Sequence, residues 1–226
     1  LKDNLLKIVS KAQELGAEYA EVRAQELFKT TLTIKEGRVE ASRQGIENGV
    51  AIRVLVKGAW GFASVGSFDI ETLLDAVSFA CRMAKTASSK LKSPIKLAKT
   101  KAVEDKVEVK PRKDPSKIPV EEKINLTLAM NNMILGYDEK IKSCTIDYFD
   151  NTGKNYFINS EGAYIEQDKL YVWSRITATA KKGEVFSFSR EEIGSTSGYE
   201  IFDVETPETV SERIAKRAVE QLKAKP

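Results

Sequence analysis

Few residues of this chain have the types and spacing for covalent chemistry. Ser89 with Lys92, and Ser93 with Lys96, stand at the Ser-x-x-Lys spacing of some acyl-transfer enzymes. Both pairs fall in a lysine-rich stretch with no apolar pattern to build a pocket around them, so the spacing reads as coincidence. Glu36 with Glu40, and Glu191 with Glu192, are conceivable paired acids. Nothing in the sequence holds either pair at a defined separation, so a solvated surface is their reading. Cys81 and Cys144 are the two cysteines, and histidine is absent. Cys81 falls on a helical apolar stripe and Cys144 alternates with Ile146 and Tyr148, which makes both core residues rather than zinc ligands. No catalytic residue, metal site or cofactor is therefore assigned to these residues.

The residues best placed to bind something lie in Gly49–Ser64, GVAIRVLVKGAWGFAS. Val50, Ile52, Val54 and Val56 alternate with Ala51, Arg53, Leu55 and Lys57, the period of a strand with one buried face. Gly58 sits where the chain must reverse, and Trp60 and Phe62 then share one face of the returning strand. Arg53, Trp60 and Phe62 are the candidate substrate groove. Arg53 can bind a substrate carboxylate or pair across strands, against the commoner reading of an exposed edge or a structural ion pair. The two aromatics can line a peptide groove, against the commoner reading of core or helix packing.

The elements around the hairpin follow from periodicity. Leu5, Ile8, Val9, Ala12 and Leu15 form a helical stripe that Gly16 stops. Four or five strands are expected next, with breaks near Thr30, Gly37, Asn48 and Gly58. Ile70, Leu73, Leu74, Val77, Ala80, Cys81 and Ala84 give a second helix, with Asp69 as its N-cap. Residues 85–117 hold eleven Lys or Arg against four Asp or Glu, with three prolines, and read as a surface connection with one short strand at Lys106–Lys110. A helix near Val120–Leu135 opens the second half. Strands are expected at Ile141–Asp150, Lys154–Asn159, Tyr164–Ala180 and Val185–Ser195, turning at Asn151–Gly153, Glu161–Gly162 and Lys182–Gly183. A last helix begins at Thr206-Pro207-Glu208. The fold class is α+β: helix, antiparallel meander, helix, arranged twice, a largely antiparallel sheet with packed helices. The expected divisions are a unit at 1–87, a basic proline-containing linker at 88–118 and a second unit at 119–226.

Composition excludes some classes. The chain has 226 residues, 42% hydrophobic, with a net charge of only +3. That argues against nucleic acid as the main partner, as does the basic stretch, which lacks interleaved aromatics. No apolar run approaches the roughly 18 to 20 residues of a membrane span, and the N-terminal stripe is an amphipathic helix rather than a signal peptide. With so few cysteines, the cytoplasm is the expected compartment. The chain starts at Leu1 rather than Met and stops at Pro226, directly after a helical pattern, which suggests a fragment.

Several segments together resemble the N-terminal half of the TldD/PmbA family, metallopeptidases once called modulators of DNA gyrase. They are Gly16-Ala-Glu-Tyr-Ala-Glu-Val-Arg23, Lys35-Glu-Gly-Arg-Val-Glu40, the Gly49–Ser64 hairpin, Asp114-Pro115 with Glu121-Glu-Lys123, and Asn159-Ser-Glu-Gly162. The resemblance implies a zinc site in the C-terminal half of the full-length protein, on a His-Glu-x-x-x-His helix that these residues do not contain. It also implies that Pro226 lies near where that half begins. It further implies a second family subunit, homo- or hetero-oligomeric, around a cavity that admits unfolded peptide, which would pair with a sheet edge. Three readings follow. The first is the non-catalytic portion of the metal-bearing subunit, the second the same portion of its metal-free partner, and the third a stand-alone peptide- or nucleic-acid-binding module.

Overall fold

A computed structural model of the chain describes residues 1–224; the expected junction at Pro226 lies outside the described residues. Helix α1 (Lys2–Glu14) buries Leu5, Ile8, Val9 and Ala12. Strands β1 (Tyr19–Lys35), β2 (Arg38–Val56) and β3 (Ala59–Val65) follow as a meander. Each reversal is a two-residue turn with both residues at positive φ, Glu36–Gly37 and Lys57–Gly58. This turn type matches the right-handed twist of its strands, and Gly58 adopts it without a β-carbon clash. Helix α2 (Ile70–Ser88) starts at Asp69, whose carboxylate accepts the Thr72 N–H at 2.9 Å.

Strand β4 (Glu104–Val107) is the short strand of the connection, two residues earlier than the spacing predicts, and pairs parallel with β6. Helix α3 (Val120–Gly136), β5 (Ile141–Asn159), β6 (Tyr164–Lys182) and β7 (Val185–Ser195) come next. A short helix, α4 (Ile201–Val204), lacks any periodic signal in the sequence. Helix α5 (Pro207–Gln221) is capped by Thr206. The seven strands form one sheet in the order β3-β2-β1-β5-β6-β4, with β7 also on β6. The fold is α+β, an antiparallel sheet with packed helices.

Three expected breaks do not occur. Strands β1 and β2 run straight through Thr30 and Asn48, and β5 runs through Asn151–Gly153. Thr30 is β-branched and wholly buried, and accepts a hydrogen bond from Lys123, so it belongs inside a strand. Gly153 serves close approach rather than reversal: a β-carbon there would collide with the backbone carbonyl of Glu26.

The chain condenses into two compact units, each taking halves of the long strands. One comprises 1–27, 46–108 and 153–168, the other 28–45, 109–152 and 169 onward. In the first unit, α1 and α2 cover the even-numbered positions: Ala20, Val22 and Ala24 of β1, Val50, Ile52, Val54 and Val56 of β2, and Ile158 of β5. In the second, α3 and α5 cover Cys144, Ile146 and Tyr148 of β5, and Val172, Ile176, Ala178 and Ala180 of β6. Among the described residues, no helix is long and apolar enough to cross a membrane.

In the first unit, α2 approaches β3 so closely that a β-carbon on Gly61 would strike the Ala80 carbonyl and lie 3.1 Å from the Ala84 methyl. Gly61→Ala is expected to destabilise the chain by about 1–3 kcal/mol, the usual cost of overpacking, in urea unfolding. An unchanged midpoint would contradict this contact.

Candidate functional site

With the even positions buried, the odd positions of β1, β2, β5 and β6 in the first unit point to the other face. The register pairs Arg53 with Phe62 and Leu55 with Trp60, so β3 adds Trp60, Phe62 and Ser64 to that face. Across the strands it carries Tyr19, Glu21, Arg23 and Gln25, then Arg53, then Asn155, Phe157 and Asn159, then Gln167. No helix residue belongs to this set.

Glu21 is its electrostatic centre. It is only 5% exposed. The Tyr19 hydroxyl donates to its Oε2 at 2.8 Å, Arg53 Nη2 donates to Oε1 at 3.0 Å, and Arg23 Nε reaches Oε1 at 3.4 Å. Burial pushes the Glu21 carboxyl up. The hydrogen bonds from Tyr19 and Arg53 and the charges of both arginines outweigh that and hold it below the ordinary glutamate value. Burial and the bond to Glu21 push the Tyr19 phenol up to about 12. Arg53 lies 4.5 Å over the Trp60 ring, and Tyr19 meets Trp60 edge-on at 6.0 Å. Arg23 lies 4.7 Å over Phe157.

The structure thus brings Arg53, Trp60 and Phe62 together on the face away from the helices, where Arg53 and Phe62 are exposed while Tyr19 and Glu21 are buried. Trp60 and Phe62 stand outside the hydrophobic cores, and Phe62 is 51% exposed. Tyr19, Glu21 and Arg23 complete the cluster. Their signal in the sequence is polar residues at every second position between Ala20, Val22 and Ala24. Beside the cluster, a groove of about 560 Å³ crosses five strands. Such a face offers stacked cations and amides for binding, but no nucleophile paired with a base.

Residues 20–84 match the family described as PmbA/TldA metallopeptidase domain 1, and residues 113–222 match the PmbA/TldA metallopeptidase central domain. The chain belongs to the TldD/PmbA family. A metalloprotease of Methanocaldococcus jannaschii is 31% identical over 222 residues, 98% of this chain and 48% of that protein. A zinc metalloprotease TldD homolog of Saccharolobus solfataricus is 27% identical over 219 residues, 97% of this chain and 46% of that protein. The fold is that of TldE from Thermococcus kodakarensis (TM-score 0.73, 14% identity, 97% of this chain and 47% of that one). It is also that of a protein described as a modulator of a DNA gyrase from Thermotoga maritima (TM-score 0.77, 15% identity, 99% and 49%). The chain spans about half the length of the curated relatives it matches.

The zinc named for a TldD/PmbA relative finds no ligand set here. Histidine is absent from the sequence, and the described residues contain no cluster of three metal-ligating side chains. Cys81 lies in the core of the first unit and Cys144 in that of the second. Burial pushes both thiols up, Cys144 to about 12, which disfavours the thiolate a metal needs. These residues do not fit the ion. Ser89 donates to the Thr86 carbonyl, while Lys92, Ser93 and Lys96 are exposed. The expectation of a solvated surface holds for Glu192, which is exposed, and needs correcting for Glu191, which is largely buried. Glu191 is bound by Arg213 and Arg217 of α5, and Glu192 by Arg175 at 2.8 Å. Glu191 is tied down because α5 packs its basic edge on β7, while Glu192 pairs with β6 at the surface.

In the second unit, Lys123 is a buried cation that the α3 periodicity does not announce. Lys123 and Asp150 are both 0% exposed, with Nζ 2.6 Å from Oδ2. Tyr148 donates to the same oxygen at 2.5 Å, and Lys123 also donates to Thr30 at 3.2 Å. This network is sealed from substrate and reads as structural.

Two measurements check these assignments. Because the Glu21 pKa is depressed on folding, its stabilisation is present above the unfolded value and is lost as pH falls through the folded one. Urea stability of the wild type is expected to drop between about pH 5 and pH 3 more steeply than that of Glu21→Gln. Equal slopes would contradict the paired carboxylate. Lys123→Met leaves Asp150 buried and unpaired and is expected to cost about 3–5 kcal/mol, part of it recovered by adding Asp150→Asn. A loss below about 1 kcal/mol would contradict the buried pair.

Proposed function

We propose that this chain is the non-catalytic N-terminal portion of a TldD-type zinc metallopeptidase that cleaves unfolded peptides, with Arg53, Trp60 and Phe62 shaping the path of the substrate. The observation that carries the reading is the aromatic and cationic face of the first unit that lies away from its helices, with no metal-ligand set among the described residues. Support comes from the family match and from relatives, named metalloproteases, of about twice this length. The zinc site then belongs to the other half, on the His-Glu-x-x-x-His helix. A second family subunit closes the cavity, and the assembly works in the cytoplasm. We propose the linear boundaries 1–87, 88–118 and 119–226; the two family matches end at 84 and resume at 113.

The 226-residue chain is expected to leave an unfolded fluorogenic peptide intact, with or without zinc. Joined to the half that carries the metal motif, it is expected to cleave that peptide. In the joined protein, Trp60→Ala should raise KM about five- to tenfold with kcat nearly unchanged, the signature of a lost binding contact. Chelator-sensitive cleavage by the chain alone would overturn the reading.

A further inference from the structure

We infer that the groove on the open face of the first unit is a peptide-anchoring site that holds a carboxylate of an extended peptide at Arg23. The inference rests on the peptide-handling reading above and adds a binding site to it.

The groove is lined by Arg23 and Gln25 of β1, Ser64 of β3, Asn155 and Phe157 of β5, and Gln167 of β6. Its floor crosses five neighbouring strands, a width of about 19 Å at the usual strand spacing, which is room for five or six extended residues. A chain lying across the strands meets side chains rather than a strand edge. Those side chains are suited to a peptide backbone. Asn155 and Gln167 each carry a donor and an acceptor on one planar amide, the same pair a peptide bond presents, and Gln25, whose amide N–H donates to Glu47 at 3.2 Å, offers its carbonyl. Asn155 Oδ1 is buried and has no hydrogen-bond partner among the described residues. A buried amide oxygen without a donor is an unmet demand, and a turn of the Asn155 amide toward the groove lets a backbone N–H laid there meet it.

The cation left free at the groove selects an anion. Glu21 supplies one negative charge between Arg23 and Arg53, and a second carboxylate, Glu47, accepts from Gln25 at 3.2 Å, so the choice rests on which arginine is left uncommitted. Arg53 is the arginine committed to Glu21, at 3.0 Å, and it is stacked on Trp60. Arg23 touches Glu21 only through Nε, at 3.4 Å, and its side chain is 64% exposed. Its terminal nitrogens make no hydrogen bond among the described residues, and its guanidinium carbon lies 4.7 Å from the centre of the Phe157 ring. A guanidinium resting on an aromatic ring with both terminal nitrogens free is the partner of a bidentate carboxylate. Two sources supply that carboxylate in an unfolded peptide, its C-terminus and an acidic side chain.

The test uses the 226-residue chain and three fluorescein-labelled hexapeptides of alternating Ala and Ser. One has a free C-terminal acid, one a C-terminal amide, and one a C-terminal amide with a single Glu. Anisotropy titration is expected to show the free acid binding about tenfold tighter than the plain amide. Recovery of affinity by the Glu peptide assigns the site to any carboxylate, and no recovery assigns it to the terminus; both outcomes support the inference. Arg23→Gln should abolish the difference between acid and amide. Asn155→Leu should weaken acid and amide alike, and Lys92→Gln on the connecting segment should change neither. Equal binding of acid and amide by the wild type, persistence of the difference in Arg23→Gln, or complete displacement by equimolar inorganic phosphate would overturn the inference. If the joined protein cleaves peptides while the chain shows no such preference, the anchor fails and the proposed function stands. If the joined protein does not cleave, the proposed function fails whatever the titration shows.

Discussion

A strand of seventeen to nineteen residues turns successive side chains to opposite faces, so a helix layer on one side turns every second residue away from it. In the first unit this constraint orders everything else. Helices α1 and α2 take the even positions, whose residues are small or branched and apolar. The odd positions receive what the core cannot accept: arginines, amides, a carboxylate and aromatic rings. Gly61 lets α2 sit close on its own side, which keeps the helix off the Trp60 side. The binding face is therefore the complement of the core rather than a separate construction.

The two buried carboxylates show how differently the same problem is solved. Asp150 is sealed with Lys123, one cation for one anion, and the pair is neutral and closed. Glu21 is buried too, but its arginines reach it from an exposed face and number two. Desolvation is offset in both cases, because a buried charge without a partner would cost far more than either network. Only the second arrangement leaves an exposed cation with donors to spare. That difference separates a structural network from a binding one without appeal to which residue types are present.

Much of this was legible in the chain itself. The stripe from Leu5 to Ala12, the Asp69 and Thr206 caps, and the alternation through Gly49–Ser64 each rest on interactions within one element, and each forms as expected. What failed rests on distant partners. Asn151–Gly153 has turn composition, yet the chain goes straight, because its glycine answers to the Glu26 backbone. Lys123 looks like a solvated helix residue until Asp150 arrives from another element. Glu21 and Arg23 carry the right alternation, but two arginines converging on one carboxylate needs the β1 and β2 register. Arg53, Trp60 and Phe62 were visible as neighbours on a face; that the face lies away from the helices was not.

The central claim is that the face of the first unit away from its helices receives unfolded peptide. Trp60 and Trp173 are the only two tryptophans in the chain, and Trp173 belongs to the second unit, where its indole N–H donates to Glu192. Two indole signals in a nitrogen-15 spectrum therefore report on one face each. Adding an unlabelled unfolded peptide should shift the Trp60 indole, together with the side-chain amides of Gln25, Asn155 and Gln167, and leave Trp173 in place. A shift confined to Trp173, or to residues 89–117, would contradict the account.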